Sequence, residues 1–254
     1  FGPAAHCGAG ATEAQVVLVF QGGGALGAYQ AGVYQALHEA AIEPDWIIGT
    51  SIGAINGALI AGNPPHRRMA ALEAFWTRMT RREPWPAWPM WPQAPVLDYW
   101  RTLAAGIAGF FEPHPPAFWG AHMPLGADSA GYYSTTPLRR TLEELIDFAQ
   151  LNCNAPRLMV GAAHVRSSRM HYFDTREMEL DARHVMASGA LPPAFPAVRI
   201  DGELYWDGGI LSNTPTEAVF DDPHRKNSLI FAVHLWNPVG REPSTIWEVV
   251  HRLK

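Results

Sequence analysis

Apolar residues fall into short unbroken runs separated by stretches of helical spacing. That alternation is expected of buried, mostly parallel strands joined by helices. Residues 16–20 (VVLVF) predict a central strand covered on both faces. From 25 to 41, Leu26, Tyr29, Val33, Leu37 and Ala40 keep helical spacing, and Pro44 closes the connection. Residues 45–48 predict a second strand and 52–61 a second helix, which completes a right-handed βαβ unit. Further helices are predicted over 67–83 and 98–111, then from Thr136-Pro137, where a hydroxyl cap precedes a proline at the first position. A short helix over 181–188 stops at Gly189, and Thr214-Pro215-Thr216-Glu217 has the form of a capping box. Strands are predicted over 157–165, 169–173 and 203–206, with a late buried strand over 229–235 and a last helix lined by Ile246, Val249, Val250 and Leu253.

The pattern breaks at 84–92, where alternating prolines exclude both helix and central strand and three tryptophans sit on what must be irregular chain. Several roles fit these tryptophans: a lid, a membrane-touching surface, or an ordered cover over the core. Residues 112–134 also read as irregular. With no internal repeat and no clean boundary, the expectation is one domain over 1–254 with a cap at about 84–134. The chain opens on Phe1, and its last helix has no stop signal, so both ends are expected to continue.

Composition narrows the classes. A chain of 254 residues with 48% apolar and 17% charged residues suits an α/β protein with a large core. A net charge of −5, with no run of Lys or Arg, argues against nucleic acid as the main partner. Cys7 and Cys153, far apart, suggest neither a disulfide framework nor a metal site. The long uncharged stretches 14–38 and 46–65 are broken by glycines, Gln21, Asn56 and Asn63, unlike a membrane span. No basic segment followed by an apolar run opens the chain, so a cytoplasmic or membrane-peripheral location is expected.

The candidate chemistry starts at Gly49-Thr50-Ser51-Ile52-Gly53, a G-x-S-x-G pattern between a predicted strand and a predicted helix. In that context the pattern is a nucleophile elbow, a sharp turn that aims the Ser51 hydroxyl into a cleft. A serine that merely caps the helix is the plainer alternative. The loop Gln21-Gly22-Gly23-Gly24-Ala25-Leu26-Gly27 is not a clean dinucleotide fingerprint. Consecutive glycines instead let backbone N–H groups point into the cleft, as an oxyanion hole requires. A Ser–His–Asp triad is available in the order Ser51, Asp207, His234, but only one βα unit precedes the elbow, and His234 among apolar neighbours fits a core histidine better.

The motifs QGGGALG (21–27), GTSIG (49–53) and DGG (207–209), with ASGALPPAFP (187–196) between the last two and NTP (213–215) after them, resemble the patatin-like phospholipase family over roughly 16–235. The resemblance implies a three-layer α/β/α sandwich with a mostly parallel sheet. It also implies a Ser–Asp dyad without histidine: Ser51 as nucleophile, Asp207 as base, and Gly22, Gly23 and Gly24 as oxyanion-hole donors. No metal or organic cofactor is implied, and the partner is a lipid or other acyl-ester substrate, with peripheral membrane contact. An aspartate serves as base toward an alcohol if burial raises its pKa. Many members of the family carry Arg or Lys where this chain has Leu26, which leaves neutral esters and thioesters open beside phospholipids. Two rivals remain: a non-catalytic lipid-binding protein on the same fold, and acyl transfer to an alcohol or thiol acceptor.

Overall fold

The computed structural model describes residues 14–80, 105–224, 226–237, 239–246 and 248–249. In chain order, β1 (Gln15–Phe20) leads through a 3-10 turn (Gly24–Gly27) into α1 (Ala28–Glu39), β2 (Trp46–Thr50), α2 (Ile52–Ala61) and α3 (Pro65–Thr80). The next described part holds a small antiparallel pair, β3 (Glu112–Pro113) and β4 (Tyr133–Ser134), then α4 (Thr136–Leu145) and α5 (Phe148–Leu151). The hairpin β5 (Arg157–His164) and β6 (Arg169–Asp174) follows, then α6 (Ala182–Ser188), β7 (Val198–Ile200), β8 (Glu203–Asp207), α7 (Glu217–Asp221) and β9 (Ser228–Val233).

The apolar run 17–20 is fully buried, as expected of a strand with parallel neighbours on both edges, here β2 and β9. The pleat sends alternate residues to opposite faces. Leu18, Phe20 and Ile47 join the larger core beneath α1, α2, α3, α4 and α6, while Val17, Val19, Trp46 and Ile48 pack with Ala218 and Val219 of α7. The sheet is thus the middle of three layers, the α/β/α arrangement expected. All ten residues of α2 are buried, which explains why that helix is apolar around its whole circumference.

Register does the positioning. β2 runs parallel to β5 from Trp46 opposite Arg157 to Thr50 opposite Gly161. β6 covers β5 from Met159 to His164 and therefore lies on its other edge. β8 pairs antiparallel with Ala162, Ala163 and His164, where β6 is also paired, so β8 must take the β2 edge. β2 and β8 consequently meet end to end on one edge of β5. Thr50 faces Gly161, and Asp207 faces the next residue, Ala162.

Several expectations need correction. β9 is the outermost strand beside β1 and is only partly buried, and His234 follows its end and is exposed; it is not a core histidine. The Thr214–Glu217 capping box does not form, because Glu217 accepts hydrogen bonds from Tyr172 and Ser212 instead. The Ser134 hydroxyl, not a threonine, accepts the N–H of Thr136 at the start of α4. Ala105 is helical, but residues 106–111 form a turn closed by a bridge between Ile107 and Phe111, so the helix predicted over 98–111 stops at Ala105; its first part, and the Trp-Pro run, lie outside the described residues, as does most of the last helix.

A Cβ at Gly53 would lie 2.3 Å from the Phe20 carbonyl oxygen, a backbone atom with no freedom to move aside. Gly53→Ala should therefore cost roughly 3 kcal/mol or prevent folding. Urea unfolding checks this, and an unchanged midpoint would contradict the close packing of α2 on β1.

Candidate functional site

β2 delivers the chain to Ser51, whose φ of 56° and ψ of −125° lie outside the regions that a serine favours. The turn is held by close contacts that exclude side chains. A Cβ at Gly49 would meet the Gly53 carbonyl oxygen at 2.4 Å. Beneath it, the fully buried Asn56 donates to the Gly27 carbonyl and to Gln30 Oε1, both at 2.9 Å, and accepts the Trp76 indole N–H at 3.1 Å. Asn56 thereby ties α2 to α1 and α3 with each bond satisfied inside the core.

Asp207 ends β8 and is 3% exposed. Its carboxylate accepts the N–H of Gly209 at 2.7 Å, and the Ser51 hydroxyl stands close enough to it to favour its charged form. Burial pushes its pKa up to about 6, against the opposing pull of these two donors. No imidazole is among its partners; the His234 side chain makes no hydrogen bond among the described residues. Gly208 permits the approach, since a Cβ there would stand 2.5 Å from the Gly161 carbonyl oxygen.

The three glycines after β1 divide into two kinds. Gly22 lies against the elbow, where an added Cβ would be 3.1 Å from Ser51 Cβ, but its N–H already donates to the Asn213 carbonyl at 3.0 Å. Gly22 is thus not a free donor, contrary to expectation. The N–H groups of Gly23 and Gly24 bind no acceptor among the described residues, and Gly24 has a φ of 55°. Asn213 Nδ2 and the Trp236 indole N–H both donate to the Gly22 carbonyl, and Gln21 bridges Thr214 Oγ1 and the Leu235 N–H. The glycine loop is thereby clamped to the chain after β8 and the chain after β9.

Among the described residues no group of His, Cys, Asp and Glu has the arrangement of a metal site. A cavity of about 400 Å³ lies at the other end of the sheet, lined by Asp45, Arg157, Arg176 and Lys226, away from Ser51.

The model of the patatin-like phospholipase family matches residues 18–220. The chain belongs to this family. It is 44% identical over 97 residues to a patatin-like phospholipase domain-containing protein of Caenorhabditis elegans, a match that covers 38% of this chain and 8% of that protein. It is 26% identical over 247 residues to lysophospholipase nte1 of Aspergillus terreus, covering 93% of this chain and 13% of the relative. The chain thus spans about a tenth of the length of these curated relatives. Among solved structures, VipD from Legionella pneumophila superposes with a TM-score of 0.46 at 18% identity, over 81% of this chain and 47% of that one.

This patatin-like site also depends on Ser188, to which the sequence alone gave no role. It is fully buried at the end of α6; its hydroxyl accepts the Ser51 N–H at 2.8 Å and donates to the Gly161 carbonyl at 2.6 Å. Two residues later the Ala190 carbonyl accepts the Asp207 N–H at 3.0 Å. One short segment therefore grips both candidate groups at the point where β2 gives way to β8. Ser188 lies in the ASGALPPAFP motif, but its partners are far away in sequence and only the fold brings them to it.

The buried carboxylate has a consequence for stability. A raised pKa means that the folded state holds the Asp207 proton more tightly than the unfolded chain does. Stability is therefore lost as pH rises from about 4 to about 6, and the cost is complete above that. Asp207→Asn should stabilise the protein at pH 8 by up to roughly 3 kcal/mol and leave stability nearly unchanged at pH 4. Denaturant unfolding at the two pH values checks this; equal effects at both would contradict it.

Proposed function

We propose that the chain is a serine hydrolase of lipid acyl esters, of lipase or phospholipase A type, that works through Ser51 and Asp207. The observation that carries this reading is the placement of the Ser51 hydroxyl beside a buried carboxylate that has no histidine among its described partners. Family membership and the lysophospholipase relatives support the substrate class.

In the proposed reaction Ser51 Oγ attacks the ester carbonyl carbon as its proton passes to Asp207. The carbonyl oxygen becomes an oxyanion, met by the N–H groups of Gly23 and Gly24. Collapse of the tetrahedral intermediate breaks the bond to the alcohol, which leaves with the proton from Asp207. Water then attacks the acyl-serine, giving one proton to Asp207, and the second collapse returns that proton to Ser51 Oγ and releases the fatty acid. Asp207 serves in both halves because burial brings its pKa close to the working pH, where a carboxylate both takes and returns a proton. Gly22 gives the oxyanion loop its closeness to the elbow rather than a donor.

We also assign the wall of the acyl cleft to the segment 105–134. It lies against the loop after α6, where Tyr132 and Tyr133 donate N–H bonds to the carbonyls of Pro193 and Ala194, and the rings of Phe111, Tyr133 and Phe195 pack together. An aromatic wall suits an acyl chain.

Ser51→Ala should lower turnover of a p-nitrophenyl ester by at least about 1,000-fold and abolish fluorophosphonate labelling, and Asp207→Asn should be about as damaging. His234→Ala should stay within about two-fold of the parent; a large loss in a folded His234→Ala protein would restore the triad. The acidic limb of kcat/KM should be half-maximal near pH 6, where Asp207 loses its proton. A limb centred near pH 4 would contradict the buried base.

A further inference from the structure

The peptide units of the glycine loop are held in different ways. In a trans peptide the C=O and the following N–H lie in one plane and point in opposite directions, so whatever fixes the carbonyl also aims the N–H. In the Gln21–Gly22 unit both poles are used. The Gln21 carbonyl accepts Gln30 Nε2 at 2.7 Å, and the Gly22 N–H donates to the Asn213 carbonyl at 3.0 Å. In the Gly23–Gly24 unit the Gly23 carbonyl accepts the Leu26 N–H at 3.3 Å, a turn closed within the loop itself. The Gly22–Gly23 unit between them is held at its carbonyl. There the Gly22 oxygen accepts two donors, Asn213 Nδ2 at 3.1 Å and the Trp236 indole N–H at 3.3 Å. The other pole, the Gly23 N–H, binds no acceptor among the described residues.

This middle unit depends on such a hold. With glycine on both sides, no Cβ resists rotation of the peptide plane, and a flip would put the carbonyl where the N–H had been. A carbonyl oxygen in that place would repel an oxyanion instead of stabilising it. Both donors come from distant chain: Asn213 follows β8, and Trp236 follows β9, the outermost strand. Each is itself seated. The bond from the Gly22 N–H fixes the Asn213 backbone, and Gln21 Oε1 accepts the Leu235 N–H at 2.6 Å, one residue before Trp236. Leu235 also lies against Gly23, where an added Cβ would be 2.7 Å from Leu235 Cδ1. A carbonyl oxygen has two lone pairs, so the two N–H groups together satisfy it in one orientation.

We propose that Asn213 and Trp236 are positioning residues of the oxyanion hole: by fixing the Gly22 carbonyl they hold the Gly23 N–H toward the oxygen that becomes negative when Ser51 attacks. The proposal rests on the reading of Ser51 as nucleophile and Gly23 as oxyanion donor, and it assigns the aim of that donor to two side chains that act through the Gly22 carbonyl. The Gly24 N–H is aimed by the Leu26 turn and does not need them. Loss of the two donors therefore disorders one half of the hole and leaves the other standing.

Trp236→Phe removes the indole N–H and keeps an aromatic ring in its place. Asn213→Ala removes the side-chain donor and leaves the backbone bond to Gly22. The expected result is a fall in kcat for a p-nitrophenyl ester of about ten-fold for Trp236→Phe and about 100-fold for the two together, with KM within about three-fold, since a contact made only in the transition state lowers kcat and kcat/KM alike. The acidic limb should stay near pH 6, because Asp207 is untouched. A trifluoromethyl ketone with an acyl chain gives the direct readout. Ser51 Oγ adds to its carbonyl carbon, the hydroxyl proton passes to Asp207, and the ketone oxygen becomes an alkoxide in the hole. Its affinity should fall in proportion to kcat/KM. In the parent it should move the Gly23 amide proton downfield, and in the double variant that shift should shrink. A folded Trp236→Phe protein and a folded double variant that both keep kcat within about two-fold of the parent would overturn the proposal. So would a Gly23 amide proton that the ketone does not move, or a loss confined to KM or to a displaced acidic limb. Ser51→Ala is assayed beside them. Turnover that survives in Ser51→Ala ends the nucleophile reading, whereas an inactive Ser51→Ala with fully active Trp236→Phe and double variants ends this inference alone.

Discussion

Two strands sharing one edge of a third is the constraint on which the rest of this structure depends. β5 gives its edge to β2 as far as Gly161 and to β8 from Ala162 onward. A parallel strand and an antiparallel strand that meet in this way stop facing each other. The residues at their tips, Ser51 and Asp207, come side by side although 156 positions separate them. The sheet therefore sets the distance between the two groups, and loops only finish the geometry. Ser188, which bonds both the elbow N–H and the Gly161 carbonyl, occupies the gap that this change of neighbour leaves in the ladder.

Once the sheet brings the carboxylate inside, electrostatics follow. A buried Asp207 with no cation among its described partners is held well above its ordinary pKa, which costs stability at neutral pH. Local strain at Ser51, with a φ of 56°, is a second cost of the same kind. Both are carried by a core in which α2 is buried along its entire length. A stable scaffold is what allows an unfavourable backbone angle and an unfavourable charge to persist at the site.

Much of this was legible in the sequence because it follows from local rules. The apolar run 16–20, the G-x-S-x-G turn and the helix over 52–61 are each specified by residues in contact with their sequence neighbours, and the structure reproduces them. The motif order 21–27, 49–53 and 207–209 pointed to the family and to the α/β/α layers. What escaped depended on partners distant in sequence. Glu217 looked like part of a capping box until Tyr172, on another strand, took its carboxylate. His234 looked buried because its neighbours are apolar, yet β9 lies at the outside of the sheet and turns it to solvent. Gly22 read as a donor like its two neighbours, and only the return of Asn213 to the glycine loop occupies its N–H. Ser188 and the clamp formed by Gln21 and Asn213 carry no signature in spacing, since a single buried polar residue is recognised only by what surrounds it.

The most direct measurement is an NMR titration of the Asp207 carboxyl carbon in the parent and in Ser51→Ala. The account predicts a pKa near 6 in the parent and a higher one in Ser51→Ala, where the donor that favours the carboxylate is gone. An ordinary aspartate value near 3.8, or a value indifferent to the loss of the Ser51 hydroxyl, would show that the two groups do not share a buried site.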